Sequence, residues 1–422
     1  MKSLYLTLGL LSLALCAVSR AQDDTGQNLA QSPDEIVTDF GIDEYLAIPT
    51  NNLKIGVHTL RGAKTSFSGS GFLSSFQPGS DFTTPGLARV YNDGNVLHDT
   101  QPYSFPTSNA DGTTTTHTAG PTPAGTTNTW SFLDVNQIRS DGNMDFHAYS
   151  ANVADSGAHD PSVKGGGGIE LMISRDMGKL GKRMEWKLDL GVSLTDLRSK
   201  TDTSTTAMIT TLTDTYVPNL NGQPSLPSAA PYTAPSFKQI PSVDANGNPI
   251  YDSTGTQIID YVETTIYLGN VPLNRTVTTT AGVISNHWEL KGAYFTFKLG
   301  PSISYLVTDR LRVTVGAGAS IVLSGATFDV TSTFQPDVGA ALTSDDTSDL
   351  LKFLPGYYAE AEVQYDFSDR AGFYAGVEYQ DNGSYTQTSN LNDTNTGSIG
   401  SYKALINLSS LEGFRMGLTF KF

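Results

Sequence analysis

Cysteine is all but missing from this 422-residue chain: Cys16 is the only one. It lies within Leu4 to Val18, an almost wholly apolar stretch behind Lys2. That stretch suits a signal-peptide core and is short for a membrane helix. Ser19-Arg20-Ala21 offers a small-x-small cleavage site, so residues 1–21 are expected to be removed and the mature chain to begin at Gln22. Leu15 precedes Cys16 where a lipoprotein signal wants a small residue, which argues against lipidation. A mature chain without cysteine has neither a disulfide framework nor a thiolate metal site.

Basic residues are scarce as well. Lys and Arg number 26 against 42 Asp and Glu, a formal charge of −16, and cleavage would remove Lys2 and Arg20 but no acid. Nucleic acid is therefore not an expected partner, because phosphate needs clustered Lys and Arg. Long hydrophobic runs are absent after residue 22, where nothing approaches the ~20 apolar residues of a membrane helix. Mean hydropathy is −0.20. These values leave a membrane barrel open, since its strands dilute apolar residues one in two.

Motifs for catalysis and cofactors are lacking too. There is no Gly-x-Ser-x-Gly elbow. Gly165 to Gly168 is not followed by the Lys-Ser/Thr of a phosphate loop. Asp244 to Asp252 begins like a calcium loop and fails at Pro249, where Gly is required, and at Gly255, where Glu should close the site. The six histidines are His58, His98, His117, His147, His159 and His287. Asp145, His147 and Tyr149 share one face of a possible strand, but no nucleophile joins them. Glu360 and Glu362 stand two apart, with Glu378 across a hairpin. Such carboxylates can do acid–base or cation chemistry, or simply form a solvated acidic patch. We expect no enzyme, no cofactor and no metal.

What is present is alternation. Met184, Trp186, Leu188, Leu190, Val192 and Leu194 hold every even position of Met184 to Thr195, and polar residues or Gly hold every odd one. Twelve error-free residues are long for a soluble strand and match the ~9–11 of a tilted membrane strand. Arg310 to Leu323 repeats the pattern with one exception, Val322; Tyr357 to Phe367 and Phe373 to Tyr379 repeat it again. Leu53, Ile55 and Val57, then Phe67 and Phe72 past a Gly-containing turn, read as a first hairpin. Trp288 to Leu299 changes phase near Gly292, as a β-bulge would. Residues 22–50 read as a flexible lead-in, and residues 100–128 and 217–256 as long polar loops.

The chain ends Arg415-Met416-Gly417-Leu418-Thr419-Phe420-Lys421-Phe422, with Phe414, Met416, Leu418, Phe420 and Phe422 on one face. This segment resembles the C-terminal sorting signal of bacterial outer-membrane β-barrels, whose positions Arg415, Gly417, Phe420 and Phe422 fill. The resemblance implies export to the outer membrane of a Gram-negative bacterium. It implies lipid as a partner, and periplasmic chaperones and barrel-assembly machinery during biogenesis. Arg89 to Val96, Thr129-Trp130 and Gln137-Ile138 look like segments of uncharacterised Gram-negative barrel proteins, a family that carries no activity over.

The resulting expectation is an all-β chain. Residues 51–422 would form a single antiparallel up-and-down transmembrane β-barrel of about twelve strands, with ten to sixteen possible. Lumen-facing candidates are Glu170, Glu185, Lys187, Asp189, Arg310, Arg312, Glu360, Glu362, Glu378, Lys403 and Arg415. Porin-like passive passage of small hydrophilic solutes is the expected function. A narrow filled barrel carrying its loops as a structural or adhesive platform is one alternative. An exported soluble β-sandwich or solenoid is a second. One difficulty stands: with a turn at Ser409 to Glu412, parity puts Asp381 to Gly400 on the short-turn side, unless a strand hides in Gly383 to Asn390.

Overall fold

The computed structural model describes residues 51–75, 77–100, 104–108, 113–118 and 122–422. The expected signal peptide, 1–21, and lead-in, 22–50, lie outside the described residues. Twelve strands form one antiparallel sheet. They are β1 (Asn51–Arg61), β2 (Lys64–Ser74), β3 (Met144–Val153), β4 (Lys164–Lys179), β5 (Met184–Tyr216), β6 (Asn274–Leu306), β7 (Leu311–Phe334), β8 (Leu342–Asp366), β9 (Ala371–Asp381), β10 (Ser384–Asp393), β11 (Ser398–Asn407) and β12 (Leu411–Lys421).

Twelve strands make only eight passes, because four passes are broken in two. β1 pairs with β4 and β12, while β2 pairs with β3 and β11. The expected first hairpin is thus one kinked pass: the chain bends at Gly62 and carries on. Gly62 has φ +104°, and a Cβ there would lie 2.4 Å from the Ser410 carbonyl oxygen, so only glycine fits. β3 and β4, β9 and β10, and β11 and β12 are likewise halves of single passes. The chain does not reverse at 381–384 or at 408–410. β10 is the strand hidden in the Asp381 to Gly400 segment. With eight passes the parity difficulty vanishes: turns 180–183, 307–310 and 367–370 share one end with Asn51 and Phe422, which exchange backbone hydrogen bonds of 3.0 and 2.9 Å. Segments 75–143, 217–273, 335–341 and 394–397 share the other.

At that first end the sheet closes. Following the register from Leu194 through Ile169, Val57, Met416, Ala375, Val363, Val313 and Tyr305 returns to β5 at Met184, ten residues from the start. Eight passes with that stagger form a tilted barrel whose interior is just wide enough for side chains to fill. At the other end the wall runs β5–β3–β2–β11–β10. Among the described residues no ladder joins β10 to the upper part of β8. Side chains join them instead: Gln387 Nε2 donates to the Ser348 carbonyl at 2.7 Å, and Ser389 bonds Asp346.

Facing is continuous along each long strand, but chemistry is not. On β5 the even residues face out from Met184 to Leu212, and the last two, Asp214 and Tyr216, are buried against the head. From Met184 to Leu194 those are apolar; from Asp196 to Thr206 they are Asp, Arg, Lys, Asp, Ser and Thr. β6 does the same, with Phe295, Phe297 and Leu299 outward below and His287, Glu289 and Lys291 outward above. The phase change near Gly292 is therefore not a bulge: the register with β5 and β7 runs through it unbroken. The odd residues stay outside, and apolar side chains move to the inner face. Val322, the exception in β7, is the first inward apolar residue of that upper stretch. Trp288 is fully buried in the upper core, while Tyr357 and Phe422 are exposed on the lower wall, where interfacial aromatics of a membrane protein stand.

Candidate functional site in the lumen

Inside the lower ring the inward positions carry charge. Burying an ion costs several kcal/mol unless it is paired and hydrogen-bonded, and here the pairs come from different passes. Arg415 on β12 is 1% exposed. Its Nε lies 3.1 Å from Glu170 on β4, its Nη1 bonds Glu360 on β8, and its Nη2 lies 3.9 Å from Glu362. Lys54 on β1 bonds Glu362, and Lys298 on β6 meets Glu378 on β9 at 2.5 Å. Tyr374 donates to Glu170 at 2.6 Å, and its ring receives both the Arg415 guanidinium, at 5.5 Å, and the Lys54 ammonium, at 5.6 Å. A Cβ at residue 56 would stand 2.1 Å from the Tyr374 hydroxyl, so Gly56 lets that ring cross the barrel. His58 completes the upper side, with Nε2 2.7 Å from Thr195 Oγ1 and Nδ1 3.9 Å from Glu170. Nearer the rim, Arg312 lies 3.5 Å from Glu185 and 3.4 Å from Asp366, which also meets Lys421 at 2.5 Å.

Of the lumen candidates, Glu170, Lys187, Asp189, Arg312, Glu360, Glu362, Glu378 and Arg415 are buried within the ring. Glu185 is half-buried beside Arg312. Arg310 and Lys403 are exposed and depart from the expectation. Arg310 belongs to the 307–310 turn. Lys403 lies in the upper half, where Tyr402, Ala404 and Ile406 take the inner positions and the polar residue faces out. Lys54, His58, Lys298 and Tyr374 were not among the candidates, although Lys54 stands between Leu53 and Ile55 and Lys298 between Phe297 and Leu299. That flanking pattern was the available signal.

Above the charges, the upper interior is apolar. Phe67 stacks on Phe328 at 5.4 Å and tilts against Trp288 at 6.1 Å; Trp288 meets Tyr402 at 6.3 Å. All but Tyr402 are fully buried. A void of about 10 Å³ bordered by Gly69, Leu73, Trp288 and Tyr402 remains, room for about one water molecule.

The long segments fold into a head with its own core of Tyr91, Trp130, Phe132, Phe146, Tyr216 and Leu268. Strands Arg89–Tyr91, Gly94–Val96, Trp130–Phe132 and Tyr232–Thr233 form its four-stranded sheet. The head is tied to the barrel by Asp214 on β5, which accepts from Tyr91 at 2.5 Å and from Arg275 Nε and Nη2 on β6, each at 2.6 Å. Burial pushes the Tyr216 hydroxyl up to about 12 and that of Tyr91 further. His147 pairs with Asp93, not with Asp145: Nδ1 to Oδ2 is 2.6 Å, and the His147 backbone N–H donates to Oδ1 at 2.8 Å. Asp145 accepts from Thr215 at 2.6 Å. Asp244 spends one carboxylate oxygen on its own turn, taking the Asn246 and Asn248 N–H groups at 2.8 and 2.9 Å.

The closed ring, its apolar outer belt and its filled lumen define a transmembrane β-barrel. No family model matches the chain, and no curated protein matches it. Among solved structures it is similar to the outer membrane protease OmpT from Escherichia coli, at 11% identity over 89% of this chain and 98% of that one, with a TM-score of 0.20. It is similar also to a FadL homologue from Pseudomonas aeruginosa, at 10% over 89% and 90%, TM-score 0.15. A third is the toluene transporter TodX of P. putida, at 8% over 90% and 91%, TM-score 0.14. Likenesses this distant carry no argument about activity.

Proposed function

We propose that this chain is an outer-membrane barrel whose narrow lumen is filled, and that it serves as a rigid stalk presenting the folded head outside the cell. The Arg415 cluster carries this reading. Four carboxylates, two amines and a guanidinium, all buried, meet across the ring where a pore would need water. The apolar plug of Phe67, Trp288 and Phe328 stands above it. Passive passage of hydrophilic solutes, the sequence-based reading, finds no support in such a packed interior. Outer-membrane placement is supported by the lipid-facing belt. Met184 to Leu194 spans about 33 Å along the strand, which a tilt of ~40° reduces to about 25 Å, the height of an outer-membrane apolar band. Short turns at one end and long segments at the other agree with a periplasmic and an exterior side. Lipid and the barrel-assembly machinery are the partners this placement entails.

The test is a planar-bilayer recording of the refolded protein, with gel migration before and after heating as a control for closure. A folded, heat-modifiable protein that passes no stepwise current supports the filled stalk. Reproducible steps would return the porin reading. Protease added to intact cells should cut within 217–273; protection of that segment would invert the orientation.

A further inference from the structure

Three cations stand on one rung of the outer wall. Lys164 on β4 is the register partner of Arg198 on β5, and Arg198 is the partner of Lys291 on β6. All three are exposed on the outer face. Direct cross-strand neighbours hold their Cβ atoms about 4.5–5.5 Å apart, where like charges destabilise a sheet. Lys291 has Glu289, at 2.7 Å. Among the described residues Lys164 and Arg198 have no carboxylate in ion-pair range. Lys200, two residues above Arg198, adds a fourth cation opposite Glu289. Besides Glu289, the acids on this face of β5 and β6 among the described residues are Asp196, one outward position below Arg198, and Asp202, which bonds His287 at 2.5 Å. Further along the same rung the wall changes character: Lys291 pairs with Thr327 and Thr327 with Asp349. The basic group is thus an arc over β4, β5 and β6 and not a ring.

Its height matters. Going down β5 the outward residues are Arg198, Asp196 and Leu194; going down β6 they are Lys291, Ala293 and Phe295. The arc is four residues above the apolar belt, about 13 Å along the strand and less once tilt is counted. That is headgroup depth on the side of the long segments.

We propose that Lys164, Arg198 and Lys291 form a binding site for the phosphate groups of outer-leaflet lipid, the acyl chains lying on the belt below. An external anion between three adjacent cations removes the repulsion that the sheet otherwise carries, and multiple cations sum their attraction to an anionic surface. The inference rests on the membrane placement given above.

The experiment uses the full-length mature protein in mild detergent, titrated with diphosphoryl lipid A and with the same lipid stripped of phosphate. The wild type should bind the phosphorylated form, and K164Q/R198Q/K291Q should bind it about tenfold more weakly or worse. Lys403→Gln, outward but off the arc, should bind as the wild type does. Equal binding by the triple variant overturns the site, as does equal binding of the dephosphorylated lipid. Competition by inorganic phosphate at the concentration effective for lipid A also overturns it, because the acyl chains would then contribute nothing. Heat-modifiable migration checks that the triple variant folds; should it fail, Arg198→Gln alone carries the comparison. A protein not extracted with the membrane fraction overturns the placement, whereas a membrane-bound protein indifferent to these substitutions overturns the site alone.

Discussion

The lower and upper halves of this barrel are built from the same strands with opposite chemistry. In the lower half Leu188, Phe297, Val315 and Met416 face out, and Arg415, Glu360 and Lys298 face in. In the upper half Arg198, Lys200 and Asp202 face out, and Ile284, Trp288 and Phe328 face in. β5 and β6 pass from one regime to the other with no register shift between them. The backbone therefore does not decide which face is greasy; the surrounding solvent does. Where lipid surrounds the wall, apolar side chains are stable outside and the narrow interior is left to paired charges. Where water surrounds it, the barrel needs an ordinary core.

The largest expected effects come from each half's own interior. Trp288→Ala should cost about 3–5 kcal/mol as a large cavity in a dry core. Arg415→Ala should cost a similar ~3–5 kcal/mol for a different reason, since Glu170 and Glu360 are left buried without their counter-charge. Urea midpoints of the refolded barrel measure both. Adding E170Q/E360Q to Arg415→Ala should restore much of the loss, and no such rescue exists for Trp288. Failure of the rescue would mean that the lower lumen is held by packing and not by charge balance.

The outer face gives the sharper comparison at somewhat smaller cost. Leu188→Arg places a cation on the belt and should cost about 2–4 kcal/mol near mid-membrane. Thr206→Arg sits at the same outward parity on the same strand and should leave the midpoint unchanged. Equal losses at the two positions would erase the distinction between the halves.

That distinction explains what could be read in advance. Lipid tolerates almost no polar side chain, so Met184 to Thr195, Leu311 to Ile321 and Tyr357 to Phe367 show unbroken alternation. The upper continuations were not legible as strands. Thr201 to Thr215 of β5 and Asn274 to Ser285 of β6 carry Thr and Ser on both faces, because small hydroxyl side chains satisfy water outside and the packed wall inside. β10, Ser384–Asp393, hides for the same reason. The candidate site was half legible. Parity placed Glu170, Glu360, Glu362 and Arg415 on one face, but which charge meets which depends on a ten-residue stagger that only the closed register fixes. Lys403 was misplaced because the polar face of each strand was taken as the inner one, and in the upper half the apolar face points in.

The smallest predicted effect separates the head from both barrel halves. Asp93 is buried, and that burial pushes its carboxyl above the ordinary range despite the hydrogen bonds it accepts from His147. The sign follows from linkage. The folded head keeps a proton on Asp93 at pH values where the unfolded chain has lost it. This contribution to stability is complete below the unfolded carboxylate value of about 4 and is lost as pH rises through the folded one. Trp130 lies in the head core and reports its unfolding. With Trp186 and Trp288 replaced by Phe, denaturant midpoints read from Trp130 fluorescence should fall as pH rises through the window just above the ordinary carboxylate value. Asp93→Asn should flatten that slope while the barrel, followed by heat-modifiable migration, does not respond to either change. A slope that survives in Asp93→Asn would assign the proton to another group, and a barrel that shifts with it would show that head and stalk unfold together.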